Sequence, residues 1–361
     1  MAEIKFNRSL GRERVPSQPD ILFIETSSTC NLKCRFCPYE KKKNLKTTMS
    51  DAMFEDCVDQ AVALGYRNFE LTPCTGDIFM DRRILKKLQF LEDHPKVEGY
   101  HFFTNFSIPK TQQITRLLEL KKLKVVTVSI YGHDLPSFIA ITKSTETVYR
   151  RLLRNLETLY AGFADAKFKL AIGHRTTNDA PRRPASDLAQ MLERFRERGI
   201  PIRKSHVYNN WGGMISSADV DGLAINVTDA EKTYKNGACS LLFTTVQVLA
   251  SGIVNGCASR DVEATLQIGD IKTTPLRDII SGSNPAYRQL IEEQQRGEFR
   301  PVCQSCDFYK SIYHHRERDR VAGTEMLTIQ QFVERTDARG QFSDASGPES
   351  EEAVRVDAPV G

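Results

Sequence analysis

The stretch "TSSTCNLKCRFCPYE", residues 26–40, places Cys30, Cys34 and Cys37 within eight positions, in the spacing C-x3-C-x2-C. A structural zinc ion normally takes four protein ligands, and the nearest histidines, His94 and His101, lie far along the chain, so a zinc site would need a distant fourth ligand. Three thiolates on one compact loop suit an iron–sulfur cube better, because they hold three irons and leave one open for a substrate or cofactor. The spacing therefore predicts a metal centre at this loop.

Around this loop the sequence alternates between strand and helix patterns. The segment at 50–65 has helical periodicity, with Ser50 as a candidate N-cap and Gly65 as a stop, and residues 147–162 have the same periodicity. Short apolar or alternating runs predict six strands, at residues 21–26, 68–73, 99–105, 124–131, 167–173 and 202–208. This alternation is typical of an α/β fold whose parallel sheet is built from right-handed βαβ units, with ligands at the carboxyl ends of the strands. The cysteine loop follows the first of these strands.

Composition favours a globular protein of the cytoplasm. The first 20 residues have no apolar export segment, and no run in the 361 residues approaches the apolar length of a membrane span. Nine cysteines without an export signal favour metal binding or catalysis over a disulfide framework. The basic run "EKKKNLK" (40–46) is too short to indicate nucleic-acid binding. We therefore expect neither nucleic acid nor a membrane as a partner.

The motif "CNLKCRFC", with Asn31 and Leu32 after the first cysteine and Phe36 before the third, resembles the cluster loop of the radical S-adenosylmethionine enzymes. The resemblance implies a [4Fe–4S] cluster whose open iron binds S-adenosylmethionine, and a partial (β/α)6 TIM-like barrel around it. Reduction of the cluster, by a donor such as flavodoxin or ferredoxin, would cleave the cofactor to a 5′-deoxyadenosyl radical that abstracts hydrogen from the substrate.

Three further segments resemble cofactor-contacting parts of that family. "TPCTGDIF" resembles its Gly-Gly-Glu-Pro stretch, with Thr75, Gly76 and Asp77 at the first three positions and Ile78 in place of proline. "FFTNF" resembles the third-strand Thr-Asn-Gly with its glycine lost, and "VSIYG" resembles the ribose-contacting segment of the fourth strand. The predicted cofactor-binding residues are Phe36, Gly76, Asp77, Asn105, Ser129 and Arg175.

Strand alternation supports part of this set independently, since successive side chains point to opposite faces. In the fourth strand Val126, Val128 and Ile130 share the apolar face, which turns Thr127 and Ser129 toward the barrel interior. In the fifth, Phe168, Leu170 and Ile172 oppose an interior set of Lys169, Ala171, Gly173 and Arg175; in the second, Phe69 and Leu71 oppose Glu70, Thr72 and Cys74. Cys74 is therefore a candidate hydrogen donor to a substrate radical, whereas Cys57, on an apolar helix face, is expected in the core.

A second set of cysteines lies in the last third of the chain. Cys239 and Cys257 flank "SLLFTTVQVLASGIVNG", and Cys303 and Cys306 form a C-x2-C pair. Four thiols can hold either a zinc ion or a fully ligated iron–sulfur cube, and spacing alone favours neither. The surrounding sequence resembles the auxiliary-cluster extension called SPASM or, in its short form, twitch. Because no cysteine follows Cys306, the resemblance implies one auxiliary [4Fe–4S] cluster.

These patterns divide the chain into an N-terminal extension (1–17), a radical S-adenosylmethionine core (18–220), a twitch/SPASM-like auxiliary cluster domain (232–318) and a tail (325–361). The tail is polar and rich in Gly, Ser, Asp and Glu, and we expect it to be disordered.

A fully ligated second cluster has no open iron, so its expected role is to carry electrons. We therefore expect an oxidoreductase that dehydrogenates a polar small molecule, such as a polyol or sugar, with His133 and His206 as candidate bases. His174 is a weaker candidate because it falls on the apolar face of its strand. The alternatives are an epimerase that uses Cys74, a maturase that modifies a precursor peptide, and an iron–sulfur or zinc protein without enzymatic activity.

Overall fold

The computed structural model describes residues 12–17, 21–182, 185–228, 233–314 and 325–339. The strands are β1 Val15–Pro16, β2 Ile21–Ile24, β3 Asn68–Glu70, β4 Gly99–Thr104, β5 Leu123–Tyr131, β6 Lys169–Arg175, β7 Ile202–Ser205, β8 Val207–Tyr208, β9 Asn226–Val227, β10 Gln247–Val248, β11 Ile253–Asn255, β12 Gln267–Asp270 and β13 Met326–Leu327. The α-helices are α1 Asp51–Ala63, α2 Ile84–Asp93, α3 Thr111–Leu118, α4 Leu135–Thr142, α5 Glu146–Gly162, α6 Asp187–Glu197, α7 Leu241–Thr244, α8 Leu276–Ile279, α9 Pro285–Gln295, α10 Pro301–Gln304 and α11 Ile329–Arg339.

The six predicted strands correspond to β2 to β7, which lie in sequence order in one sheet and pair in parallel. Each of the five connections between these six strands contains at least one helix, as parallel crossovers require. The predicted cap of α1 is also present, since the Ser50 hydroxyl accepts a hydrogen bond from the Met53 N–H at 3.2 Å. Gly65 follows that helix with a φ of +93°.

The predicted alternation of faces holds along the central strands. In β5, Val126, Val128 and Ile130 are buried in the hydrophobic core, whereas Ser129 and Tyr131 on the opposite face are half-buried. In β6, Leu170 and Ile172 belong to the same core, and Arg175 lies on the other face. The second face is therefore the polar lining of the barrel interior, with its carboxyl-end residues next to the cysteine loop.

The C-terminal region extends this sheet. Strand β10 pairs in parallel with β2, and β11 and β12 follow as antiparallel neighbours, which gives nine strands in the order β12-β11-β10-β2-β3-β4-β5-β6-β7. The same region contacts the segment that follows β8, since Asn210 donates from Nδ2 to the Ser305 carbonyl at 2.8 Å. The auxiliary domain thus contacts both sides of the opening between β2 and β7.

The predicted disorder from residue 325 is wrong for residues 325–339. Strand β13 pairs antiparallel with β1, and α11 buries Ile329, Phe332 and Val333. These apolar residues recur at helical spacing, so a helix with one buried face forms although the segment is polar on average. The remainder of the predicted tail, 340–361, lies outside the described residues, as do 1–11 and 315–324.

None of the helices in the described part of the chain has the length and apolar character that a bilayer span requires.

Candidate active site

Cys30, Cys34 and Cys37 lie together in the loop after β2, at the carboxyl end of the sheet. Cys34 is buried, and the other two are half-buried. The Leu32 N–H donates to the Cys30 sulfur at 3.4 Å. Burial raises the pKa of Cys30 to about 12, with Asp77 and Cys37 adding to the shift, and burial raises the pKa of Cys37 to about 11. Neighbouring buried thiolates need a compensating positive charge, which an iron cluster supplies.

Asparagine side chains anchor this loop to the strand beside it. Asn105, which directly follows β4, donates from Nδ2 to the Asn31 Oδ1 at 2.9 Å and lies 3.9 Å from the Cys30 sulfur. Asn31 in turn donates to the Ser107 hydroxyl at 2.9 Å. The predicted residue Asn105 therefore lies at the loop, where it positions Asn31. Ser107 was not predicted, because its contact depends on a partner 76 positions away.

Gly76 and Asp77 pack directly against the same loop. The Asp77 N–H donates to the Thr29 carbonyl at 2.8 Å, and the residue as a whole is only 2 % exposed. It accepts hydrogen bonds from Thr104 Oγ1 at 2.9 Å and from the Asn105 N–H at 2.7 Å. Burial raises the pKa of Asp77 to about 6. Gly76 and Asp77 thus both lie beside the cysteines, and the Asp77 carboxylate already accepts hydrogen bonds from the protein.

Aromatic rings and an arginine form a wall beside the loop. The Phe36 ring lies 4.7 Å from the ring of Tyr208 and 5.3 Å from that of Tyr131. The Arg175 guanidinium lies 5.5 Å from the Phe36 ring centroid, and its charge favours the thiolates of Cys34 and Cys37. Phe36 and Arg175 were predicted, and Tyr131 and Tyr208 were missed. Tyr131 lies two residues after Ser129 on the same strand face, so alternation could have identified it.

Ser129 faces the interior of the barrel in register with Gly173 of β6. Because Gly173 has no side chain, this part of the interior stays open beside the hydroxyl. Ser129 therefore lies beside an open part of the interior, and its contact with the ribose of a cofactor stays a prediction.

The three candidate histidines lie at the carboxyl ends of neighbouring strands, with His133 and His206 just after β5 and β7 and His174 near the end of β6. His206 lies with its Nδ1 3.1 Å from the Thr177 carbonyl, and His133 with its Nδ1 3.3 Å from the Thr176 hydroxyl. His174 is buried with Nε2 2.7 Å from the Gly132 carbonyl, and burial lowers its pKa to about 4. The arrangement gives His174 a packing role, as its strand face predicted.

Cys74 is buried on the side of the barrel that faces the auxiliary domain. Burial raises the pKa of its thiol, and the nearby charges of Cys257, Glu25 and Asp261 add to the shift. The polar residues that precede Cys74 in the interior bind one another. Glu70 forms an ion pair with His101 and accepts a hydrogen bond from the Thr72 N–H at 2.9 Å. Burial alone would lower the pKa of His101, but the ion pair with Glu70 outweighs it and raises that pKa overall. His101 had been considered only as a distant zinc ligand.

The four C-terminal cysteines line one cavity. The other residues that line it are Leu241, Leu242, Arg260, Asp261, Leu266, Gln294, Val302 and Tyr309. The Gln294 amide donates to the Cys303 sulfur at 3.3 Å, and the Phe308 N–H donates to the Cys306 sulfur at 3.3 Å. The Ser259 N–H donates to the Cys257 sulfur at 3.4 Å. In the part of the chain described, no three His, Cys, Asp or Glu side chains converge closely enough to hold a single metal ion, and the sulfurs surround the cavity instead.

Residues 239–307 match the family model of SPASM, an iron–sulfur cluster-binding domain. This range begins at Cys239 and contains all four cysteines of the cavity. No curated protein sequence matches the chain.

Three solved structures share the architecture. BtrN in complex with AdoMet and 2-DOIA is 16% identical, with 80% of this chain and 92% of that chain covered and a TM-score of 0.51. SuiB from Streptococcus suis, bound to the precursor peptide SuiA, is 14% identical over 82% of this chain and 72% of that chain, with a TM-score of 0.55. Native anSMEcpe with bound AdoMet and the Cp18Cys peptide is 14% identical over 90% of this chain and 97% of that chain, with a TM-score of 0.50. At these identities the likeness establishes the fold, and it confirms the predicted barrel with its C-terminal cluster domain.

Proposed function

We propose that this chain, which has the fold of the radical S-adenosylmethionine enzymes and a SPASM-type iron–sulfur domain, oxidises a polar small molecule with its second cluster as electron acceptor. The observation that carries the proposal is the cavity lined by Cys239, Cys257, Cys303 and Cys306. Four thiols occupy every external position of a cube, so a cluster held there can carry electrons but offers no iron to a substrate.

The first cysteine loop fits the family's cofactors. Cys30, Cys34 and Cys37 would hold three irons, and Asn105 and Asn31 would keep the loop in place. S-adenosylmethionine bound at the open iron supplies the radical that abstracts hydrogen. Phe36, Tyr131 and Tyr208 would shield the cofactor from water, and Arg175 beside them suits a carboxylate. The unpartnered buried hydroxyl of Thr75 would find a hydrogen-bond partner in a bound cofactor.

The overall oxidation removes one hydrogen atom, one proton and one electron from the substrate carbon and its hydroxyl or amine. The bound cofactor would supply the acceptor for the hydrogen atom and the second cluster the acceptor for the electron, which leaves the proton to a base of this chain. His206 is the better of the two candidate bases. Its Nδ1 faces a carbonyl, which can only accept, so Nδ1 carries the proton and Nε2 keeps its basic lone pair.

Two observations support alternative functions at the same site. SuiB and anSMEcpe were solved with peptides, so modification of a peptide is the second candidate. The buried thiol of Cys74 leaves open an epimerase that returns a hydrogen atom to the substrate. All three functions use the first cluster, and they differ in substrate and in the fate of the substrate radical.

Iron content and product formation test the proposal. The anaerobically reconstituted protein should hold about eight irons, from two cubes. Replacing Cys30, Cys34 and Cys37 by Ala should halve the iron and abolish formation of 5′-deoxyadenosine. Replacing Cys303 and Cys306 by Ala should leave cofactor cleavage measurable but stop net oxidation of polyols or sugars. Iron of about four in the unaltered protein, together with bound zinc, would refute the auxiliary cluster and spare the radical core.

The same assay in deuterated water separates the alternatives. A dehydrogenase gives an oxidised product without solvent label, whether residue 74 is Cys or Ala. An epimerase gives a deuterium-labelled isomer that disappears in Cys74→Ala. Turnover of peptides alone would favour the maturase.

A further inference from the structure

Arg260 is a buried cation that forms no ion pair with a carboxylate among the described side chains. It lies three positions after Cys257, lines the four-cysteine cavity and is 7 % exposed. Its Nη1 donates to the carbonyl of the adjacent Ser259 at 2.6 Å. Its Nε and Nη2 are buried and make no hydrogen bond to any described residue.

Two aromatic rings hold this guanidinium. Its central carbon lies 4.4 Å from the ring centroid of Phe308 and 5.1 Å from that of Trp211. Phe308 lies two residues after Cys306, and Trp211 belongs to the segment that packs on the C-x2-C turn. Stacking on both rings restricts the guanidinium and orients its remaining N–H groups, but it does not neutralise the charge.

The nearby carboxylates do not fill this role. Both oxygens of Asp261 accept hydrogen bonds elsewhere, from Thr265 Oγ1 at 3.0 Å and from the Leu266 N–H at 2.7 Å. Asp307 accepts from the Asn210 N–H at 2.9 Å. Its charge attracts Arg260, but its other oxygen makes no hydrogen bond to the guanidinium or to any other described group. A buried guanidinium with two unpartnered nitrogens is costly even near a carboxylate, so we expect an anion in the cavity to accept from Nε and Nη2 of Arg260.

We propose that this anion is the auxiliary cluster, and that Arg260, fixed by Phe308 and Trp211, stabilises the cluster in its reduced state. A cube held by four thiolates is negative, and it becomes more negative by one charge when it accepts an electron. A fixed cation in a site of low dielectric stabilises the more negative state more strongly, which raises the reduction potential. Arg260 is thus a positioning residue that favours electron flow toward the cluster. The effect of Arg260 on the potential requires only that the cluster is bound. The direction of electron flow in catalysis rests, in addition, on the proposed function.

A redox titration of the auxiliary cluster tests this role without any substrate. The parent protein is the variant with Cys30, Cys34 and Cys37 replaced by Ala, in which the cluster spectrum comes from the second site alone. Arg260→Gln should shift the potential to a more negative value, and Arg260→Lys should keep most of the parental value. Arg300→Gln serves as the control, because it removes a cation of the same domain that is already paired with Glu293 at 2.9 Å.

Each outcome of this titration either supports or contradicts the role of Arg260. An unchanged potential in Arg260→Gln at full iron content would overturn the proposal, as would a shift of equal size in Arg260→Lys or in the control. If Arg260→Gln assembles no cluster, assembly in Arg260→Lys supports a requirement for the charge, and failure of both variants contradicts it. A parent protein without iron would instead contradict the auxiliary cluster itself, and with it the proposed function.

Discussion

Gly76 is the residue on which the fit between the two cofactor-loop segments depends. Its φ is +143°, and a Cβ at this position would lie 2.7 Å from the Ser27 carbonyl oxygen. That oxygen belongs to the backbone just before the first cysteine, so it cannot move without displacing the loop. The glycine therefore permits the close approach that places Asp77 beside Cys30.

Gly76→Ala should destabilise the protein by more than about 2 kcal/mol, because a strained backbone and a backbone clash add to each other. It should also lower the iron bound at the first cluster. Gly65→Ala is the matched control: its φ of +93° is also unfavourable for alanine, but a Cβ there meets nothing within 4 Å. The control should lose about 1 kcal/mol and keep its iron. Chemical denaturation and iron analysis measure both effects, and equal losses in the two variants would contradict the role of the clash.

Single residues differed in how far the sequence identified them. Alternation along β5 and β6 placed Ser129 and Arg175 on the interior face, because that periodicity is local. The contacts of Tyr208 and Arg260 involve segments that are distant in sequence, so no local sequence pattern predicts them. Strand alternation predicts Cys74 in the barrel interior, and the residue is buried, but its proximity to Cys257 follows from the packing of the auxiliary domain.

At the level of elements, α11 shows how average composition misleads. Its polar residues outnumber its apolar ones, yet Phe332 packs edge to face on Phe243 with ring centroids 4.9 Å apart. Phe243 belongs to α7, which begins two residues after Cys239. A helix beyond the predicted domain therefore supports the element that closely follows the first cysteine of the second site.

Phe332→Ala should lower the free energy of unfolding by about 3–5 kcal/mol, since it removes a fully buried ring. Because Phe332 supports α7, the variant should also lose iron from the second site more readily on mild heating than from the first. Glu334→Ala on the exposed side of the same helix is the control and should change stability by less than about 0.5 kcal/mol. Thermal unfolding with iron release measures both, and wild-type stability of Phe332→Ala would show that α11 does not support the fold.

At the scale of the whole molecule, the barrel strands could be predicted and the junction of the two domains could not. Each strand from β2 to β7 lies in an apolar or alternating run of its own, but β10 pairs over two residues only. A pairing this short gives no periodic signal, and its parallel partner β2 is more than 200 positions away in the chain. The sequence likewise predicted two separate cysteine sets but not the contacts that join their surroundings.

Asn210 holds that junction on the side of the barrel opposite β10. Its side chain donates to the Ser305 carbonyl at 2.8 Å and accepts from the Gly212 N–H at 3.1 Å, while its own N–H donates to Asp307 at 2.9 Å. It thereby ties the C-x2-C turn to the segment that carries Trp211. The contact would fix the second cluster relative to the barrel interior. In the proposed oxidation this position matters, because the substrate radical in the barrel would pass its electron to the second cluster.

Asn210→Ala should keep both clusters and still cleave S-adenosylmethionine, because none of its bonds reaches a cysteine sulfur. It should lower the yield of oxidised product, so that several molecules of 5′-deoxyadenosine form for each product, since a misplaced second cluster accepts the electron less often. Asn226→Ala, an exposed position on nearby β9, is the matched control and should keep the wild-type ratio. Quantifying both products in single turnovers provides the measurement. An unchanged ratio in Asn210→Ala at full iron content would mean that electron transfer does not depend on this contact.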